Sequence, residues 1–291
     1  MIRIVSPSGS IEPTLIENAK TTLCSWGFEV SEGKHARGRY GRFSGNKEER
    51  IDDLQEAIND TEIDIILCSR GGYGLAQIID EIDFSTLKKH PKLLLGLSDI
   101  TILHSALAHL NIPSLHCIMA KQIGELSEDS AAKKLLHKIL SERKMPVYDI
   151  PAHELNKTGK TEGILRGGNL SVLYGLRATP YDLPMDDNTI LFIEDISENA
   201  YHIDRMMQNL RLSGVLKRLK GLIVGQFTDC PEDESMHGTI YEIIANAVAN
   251  YDFPVCFNFP AGHVDDNFPL LLNANVNLEI ETQSTKLVWK G

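Results

Sequence analysis

Short apolar runs alternate with stretches of helical periodicity through the first half of the chain. Ile2–Val5 predicts a strand. Pro13, where a first helical turn tolerates proline, opens a helix with Leu15, Ala19 and Leu23 on one face, and Gly27 stops it. Phe28–Val30 predicts the next strand. Asn46, with Glu49 three residues on, has the form of a capping box, and Ile51, Leu54 and Ile58 supply the buried stripe of the helix behind it. Ile63–Leu67 and Leu93–Leu95 read as further strands, and Ile100, Leu103, Leu107 and Leu110 as the inner face of another helix. Strands apolar on both faces and separated by helices predict an N-terminal α/β domain on a doubly wound parallel sheet.

That rhythm breaks between Arg143 and Lys160, where Pro146, Pro151 and many polar residues predict a linker, set at 146–159. It divides an N-terminal domain, 1–145, from a C-terminal one, 160–291. In the second half, strand patterns at Ile190–Ile193, Leu222–Val224, Val255–Phe257 and Leu278–Ile280 surround a helix carrying Ile203, Met206, Met207 and Leu210 on one face. This predicts a mixed α/β, strand-rich domain. A length of 291 residues fits two domains of about 150 each.

Composition narrows the classes. With 42% hydrophobic and 24% charged residues the chain has the makings of two folded cores rather than a disordered polymer. Lys and Arg number 29 against 40 Asp and Glu, a net charge of −11, and no basic run exists, so nucleic acid is not an expected partner. The five cysteines are odd in number and far apart, with no Cys-x-x-Cys pair and no zinc spacing, which predicts mostly reduced core thiols and no metal. No apolar run reaches the roughly 18 residues of a membrane span, and Met1-Ile-Arg-Ile-Val5 enters a strand at once. A cytoplasmic location without membrane contact is the expectation.

In an open parallel sheet, ligands bind beyond the carboxyl ends of the strands. At one such junction Leu93-Leu-Leu-Gly96-Leu97-Ser98-Asp99 runs from strand to helix. A serine at so tight a turn has its hydroxyl exposed beside the positive end of a helix dipole, although Ser98 or Asp99 as a plain helix cap accounts for the same residues. At a second junction Cys68-Ser-Arg70-Gly71-Gly72-Tyr73-Gly74 places three glycines in four residues. Such a loop can aim N–H groups at a developing negative charge, or can simply turn sharply; it lacks the endings of nucleotide-binding glycine motifs, and Cys68 reads as a buried strand end. In the second half Leu191-Phe-Ile-Glu194-Asp195 ends an apolar strand in carboxylates, and Gly262-His263 sits in a loop. Serine, carboxylate, histidine is one of several chain orders in which nucleophilic triads occur.

Taken in series, Ser69–Gly74, Gly96–Thr101, Gly167-Gly-Asn169-Leu170, Leu191–Asp195 with Tyr201-His-Ile-Asp-Arg205, Gly221–Gly225 and Gly262-His263 resemble the L,D-carboxypeptidase family of serine peptidases. The motifs follow the family's order across roughly residues 1 to 285. The resemblance implies a two-domain enzyme with its cleft between domains, Ser98 as nucleophile, His263 as general base and Glu194 as the acid that orients it. Its oxyanion hole would use the N–H groups of Gly72 and Asp99. It further implies a homodimer, no metal or other cofactor, and release of a C-terminal D-alanine from a murein tetrapeptide or muropeptide by cutting an L-to-D peptide bond. Arg70, Tyr73 and Asn169 stand in the same motifs as candidate substrate-binding residues, and Arg205 as a structural ion-pair partner. The choice of Glu194 over Asp195 rests on the family pattern. Two other readings compete: immunity-type hydrolases of peptide-adenylate antibiotics share these motifs, and two α/β domains also describe non-catalytic small-ligand binding proteins.

Overall fold

The computed structural model describes residues 1–290 and is built on two sheets. In the first, β1 (Ile2–Val5), β2 (Val30–Glu32), β3 (Ile65–Cys68), β4 (Leu93–Gly96) and β5 (Ser114–His116) run parallel in the order β2-β1-β3-β4-β5. The helices between and after them are α1 (Pro13–Ser25), α2 (Lys47–Asn59), α3 (Thr101–Ala108), α4 (Ala120–Glu125) and α5 (Ala131–Glu142). Successive strand residues point to opposite faces, and both faces are covered. Ile4, Leu67 and Leu95 enter a core with Ile16, Ala19 and Leu23 of α1 and Leu136 of α5. Val5, Ile66 and Leu94 enter another with Leu54 and Ile58 of α2 and Leu103 and Leu107 of α3. Burial on both sides is why β3 and β4 are apolar throughout.

The second sheet takes β6 (Tyr148–Pro151), β7 (Gly159–Asn169), β8 (Thr189–Ile196), β9 (Gly221–Thr228) and β10 (Val255–Cys256), with β12 (Ala274–Ile280) and β13 (Ser284–Trp289), in the order β10-β9-β8-β7-β12-β13-β6. Strands β7 to β10 are mutually parallel, and β12, β13 and β6 add antiparallel edges. One face is covered by α6 (Leu170–Gly175), α7 (Ala200–Leu212) and α8 (Ile240–Val248). The expected stripe of Ile203, Met206, Met207 and Leu210 is buried there.

The expected elements appear with small shifts. Pro13 opens α1, but Ile16 rather than Leu15 joins Ala19 and Leu23 in its fully buried stripe; the Asn46–Glu49 capping box forms as read, and β2 lies two residues later than Phe28–Val30. Two departures concern the division at 146–159. Tyr148–Pro151 is not linker but strand β6, paired with β13, its buried Tyr148 and Ile150 alternating with exposed Asp149 and Pro151. The prolines hid this pattern, since proline is tolerated on an edge strand. Strand β11 (Leu270–Leu272), from the C-terminal half, pairs antiparallel with β5 and closes the edge of the first sheet. The two halves are therefore interlocked rather than strung on a free linker.

Candidate active site

Strand β4 ends at Gly96, Leu97 is extended, and Ser98 takes φ of +66° before a single 3₁₀ turn leads into α3. A non-glycine residue in the left-handed region costs on the order of 1–3 kcal/mol and persists where the surroundings enforce it. Helix capping does not explain the pair, because neither the Ser98 nor the Asp99 side chain caps the turn or α3. Asp99 is instead buried, accepting from Ser8 Oγ at 2.7 Å and from the Leu75 N–H at 3.0 Å. Burial pushes its carboxyl above the usual range against the pull of those two donors. Ser98 is half-buried, in the conformation of a nucleophile elbow.

The reversal of strand order falls between β1 and β3, and the loops after these two strands flank the serine. The Gly9 N–H donates to the Gly71 carbonyl at 3.0 Å. Buried Arg50 of α2 ties both loops together, donating to the carbonyls of Pro7 at 3.0 Å and Gly74 at 2.9 Å and to Gln77 Oε1 at 3.0 Å. Replacing Arg50 with methionine strands those acceptors and is expected to cost about 2–4 kcal/mol, read by urea unfolding; a loss under 0.5 kcal/mol would contradict this tie. Gly71 admits close approach, since a Cβ there would lie 2.7 Å from Ser98 Cβ and 3.0 Å from its Oγ. Gly71→Ala is accordingly expected to lower kcat by about 10²-fold through displacement of the serine, with folding intact, and unchanged kcat would show that the contact is not constraining. Gly72 has φ of +104°, and neither its N–H nor that of Asp99 meets an acceptor among the described residues. Of the other loop candidates, Arg70 is exposed with one donor on the Ser10 carbonyl, and Tyr73 is 44% exposed beside Phe43.

Glu194 lies fully buried on β8, its Oε2 2.7 Å from His263 Nδ1 and its Oε1 3.9 Å from Nε2 of buried His116. Burial alone would raise this carboxyl, but the two imidazoles outweigh it and bring it to about 2. In return, burial pulls His263 down while the carboxylates of Glu194 and, to a lesser degree, Asp195 pull it up, for a net rise above the ordinary imidazole value. With Nδ1 engaged, Nε2 of the 14% exposed ring is the nitrogen left for proton transfer.

Strand alternation sends the neighbouring Asp195 the other way. It accepts from Asn169 Nδ2 at 2.9 Å and the Ser171 N–H at 2.7 Å, anchoring the start of α6. Burial and the Glu194 charge push it up to about 6. The choice left open by the sequence thus falls on Glu194 as the partner of His263. Asn169, a candidate for substrate contact, is buried; it caps α6 by accepting from the Val172 N–H at 3.1 Å, and its own N–H donates to Thr101 Oγ1 at 3.0 Å. Arg205 forms no ion pair among the described residues and lies over the Tyr201 ring at 5.5 Å, because both side chains extend from the exposed face of α7.

The two halves meet through Thr101 against Asn169 and Gly168, where a Cβ would come within 2.5 Å of Thr101 Oγ1, and through His116 against Glu194. His116 is the register partner of Gly96, two residues before Ser98. The carboxylate–imidazole pair is therefore carried to the end of the strand that leads to the serine. Between Ser98 Oγ and His263 no hydrogen bond is formed among the described residues; such bonds are often long before substrate binds and tighten afterwards. Sequence reading missed Arg50, hidden in the mostly charged run Lys47–Asp53, and His116, a polar residue between apolar Leu115 and Cys117.

Parallel strands that end in a strained serine and unpaired N–H groups, with a buried carboxylate–imidazole pair on the second sheet, define the class, a two-domain α/β hydrolase. The family model for the LD-carboxypeptidase N-terminal domain matches residues 2–117, and that for the C-terminal domain matches 162–278. The chain is 31% identical over 295 residues to a probable murein peptide carboxypeptidase of Bacillus subtilis, covering all of this chain and 92% of that protein. It is 29% identical to a murein tetrapeptide carboxypeptidase of Pseudomonas aeruginosa, covering 91% and 89%. It superposes on the muramoyltetrapeptide carboxypeptidase of Oxalobacter formigenes with TM-score 0.90 and 27% identity, covering 100% and 98%. The chain belongs to the LD-carboxypeptidase family. The fold is shared more widely, as with the microcin C7 self immunity protein MccF, at TM-score 0.87 and 19% identity.

Proposed function

We propose that this protein is a serine L,D-carboxypeptidase that releases D-alanine from murein tetrapeptides in cell-wall recycling. The observation that carries the reading is the 2.7 Å hydrogen bond between His263 Nδ1 and Oε2 of buried Glu194, whose Oε1 lies 3.9 Å from His116, the register partner of Gly96 in the strand before Ser98. In this mechanism His263 Nε2 takes the Ser98 proton as Oγ attacks the carbonyl before the D-alanine. The oxyanion is met by the N–H groups of Gly72 and Asp99, each such donor contributing about 10²–10³ in rate. Collapse returns the proton to the leaving amine and frees D-alanine. Water then attacks the acyl-serine ester with His263 again as base, and the tripeptide leaves.

The relatives named for murein peptide and murein tetrapeptide carboxypeptidases support this substrate class. Net charge opposes an anionic peptide at long range, so local positive potential matters; exposed Arg70 in the glycine loop and backbone N–H groups supply it. On this reading the parts 1–145 and 160–291 act only together, since each brings half of the machinery. The homodimer and the cytoplasmic location belong to the same proposal through the family resemblance, and light scattering at twice the chain mass tests the dimer. Among the described residues no helix is long and apolar enough to cross a membrane.

The direct test is incubation with a synthetic murein tetrapeptide, following free D-alanine and tripeptide by mass spectrometry. Release of both supports the reading. A parallel arm with an aminoacyl sulfamoyl adenosine separates it from the chemistry of antibiotic immunity: turnover there with none of the tetrapeptide would overturn it.

A further inference from the structure

His116 closes strand β5 with no solvent exposure, yet neither ring nitrogen has a hydrogen-bond partner, and Glu194 Oε1 also lacks one. Three buried polar atoms without partners are costly, and in folded proteins such groups call for an explanation. Here His116 Nε2 and Glu194 Oε1 face each other at 3.9 Å across the junction of the two sheets, beyond hydrogen-bond reach. The ring is held edge-on to Phe192 of β8, centroids 5.0 Å apart. The other titratable ring against it, His104 of α3, lies 6.3 Å away, donates its Nε2–H to the Gly96 carbonyl and accepts at Nδ1 from Ser114 Oγ, and is pulled down to about 3 by burial. Glu194 is thus the one carboxylate within ion-pair distance of His116 among the described residues.

Resting on the serine-peptidase reading, we propose that His116 is a positioning residue for the acid: in the substrate complex its Nε2–H bonds Glu194 Oε1 and leaves Oε2 to aim His263 at Ser98. A shift of about 1 Å in the two side chains suffices to bring the pair to hydrogen-bond distance. The N–H also shares the charge of Glu194, so its removal leaves the carboxylate acting on His263 alone and moves the His263 titration upward.

The experiment compares His116→Phe and His116→Gln with wild type in tetrapeptide turnover against pH and in NMR titration of the His263 ring, identified by its absence in His263→Asn. Expected for His116→Phe are a fall in kcat of about 10–100-fold with KM little changed and an upward move of the His263 titration. His116→Gln keeps an N–H near the Nε2 position and recovers most of both. Unchanged kcat and titration in His116→Phe would overturn the proposal, as would equal losses in both variants with the titration unmoved, the mark of a packing role. Should His116→Phe not fold, a near-wild-type His116→Gln supports the proposal and one as slow as Glu194→Gln refutes it. If wild type releases no D-alanine, the functional reading fails, and the NMR titration alone decides whether His116 acts on the Glu194–His263 pair.

Discussion

Ser98→Ala is expected to lower kcat for D-alanine release by about 10⁴-fold or more while KM changes only a few-fold. In the proposed mechanism this hydroxyl forms the bond to the carbonyl carbon, and it stands on a residue with φ of +66° against which Gly71 packs closely. Its loss leaves the peptide, the free N–H groups and the imidazole in place, so binding survives and the residual rate reflects water attacking within a preorganised oxyanion site. The measurement is steady-state release of D-alanine from the tetrapeptide. Turnover within tenfold of wild type would remove Ser98 from the chemistry and shift attention to a water activated by His263.

Glu194→Gln is expected to lower kcat by about 10³–10⁴-fold and to move the acid limb of kcat/KM to lower pH. The sign follows from the forces on His263. Burial disfavours its protonated form, the Glu194 carboxylate favours it, and the carboxylate wins, so the wild-type limb lies above the ordinary imidazole value near 6.5. Protonated His263 cannot act as base, and kcat/KM in wild type therefore rises through that limb as pH increases. An amide at 194 keeps the contact but not the charge; burial then dominates, and the limb falls. Asp195→Asn is the control. Its carboxylate bonds Asn169 and Ser171 rather than His263, so this variant loosens the start of α6 and lowers stability with a much smaller effect on kcat. A larger loss in Asp195→Asn than in Glu194→Gln would reverse the assignment of the acid.

How much of this was legible in the chain can be seen residue by residue. The strand–helix alternation of the first half was open to reading because both faces of each strand are buried, which writes apolar runs directly into Ile2–Val5, Ile65–Cys68 and Leu93–Gly96. The Asn46–Glu49 cap was equally plain, its chemistry being local. Long-range pairing was not. Strand β6 carries a two-residue alternation broken by prolines, and β11 joins the sheet of the other half through three residues whose partner lies more than 150 positions away. At the site, the serine turn and the glycine loop stood out as strand ends. Which carboxylate faces the histidine did not, because adjacent strand residues always face apart and periodicity does not say which face meets His263. Arg50 and His116 were invisible for a related reason: a buried polar side chain is explained by the groups that surround it, and those come from distant segments.

In the proposed mechanism Ser98, His263 and Glu194 act as one unit assembled across two sheets. Tetrapeptide turnover by Ser98→Ala, Glu194→Gln and the double variant tests it most directly, since residues that act as a unit are strongly non-additive. The double variant is expected to be about as slow as Ser98→Ala alone, because an oriented base has no hydroxyl left to activate. Losses that multiply would show that Glu194 supports catalysis by a route independent of the serine, and would contradict that mechanism.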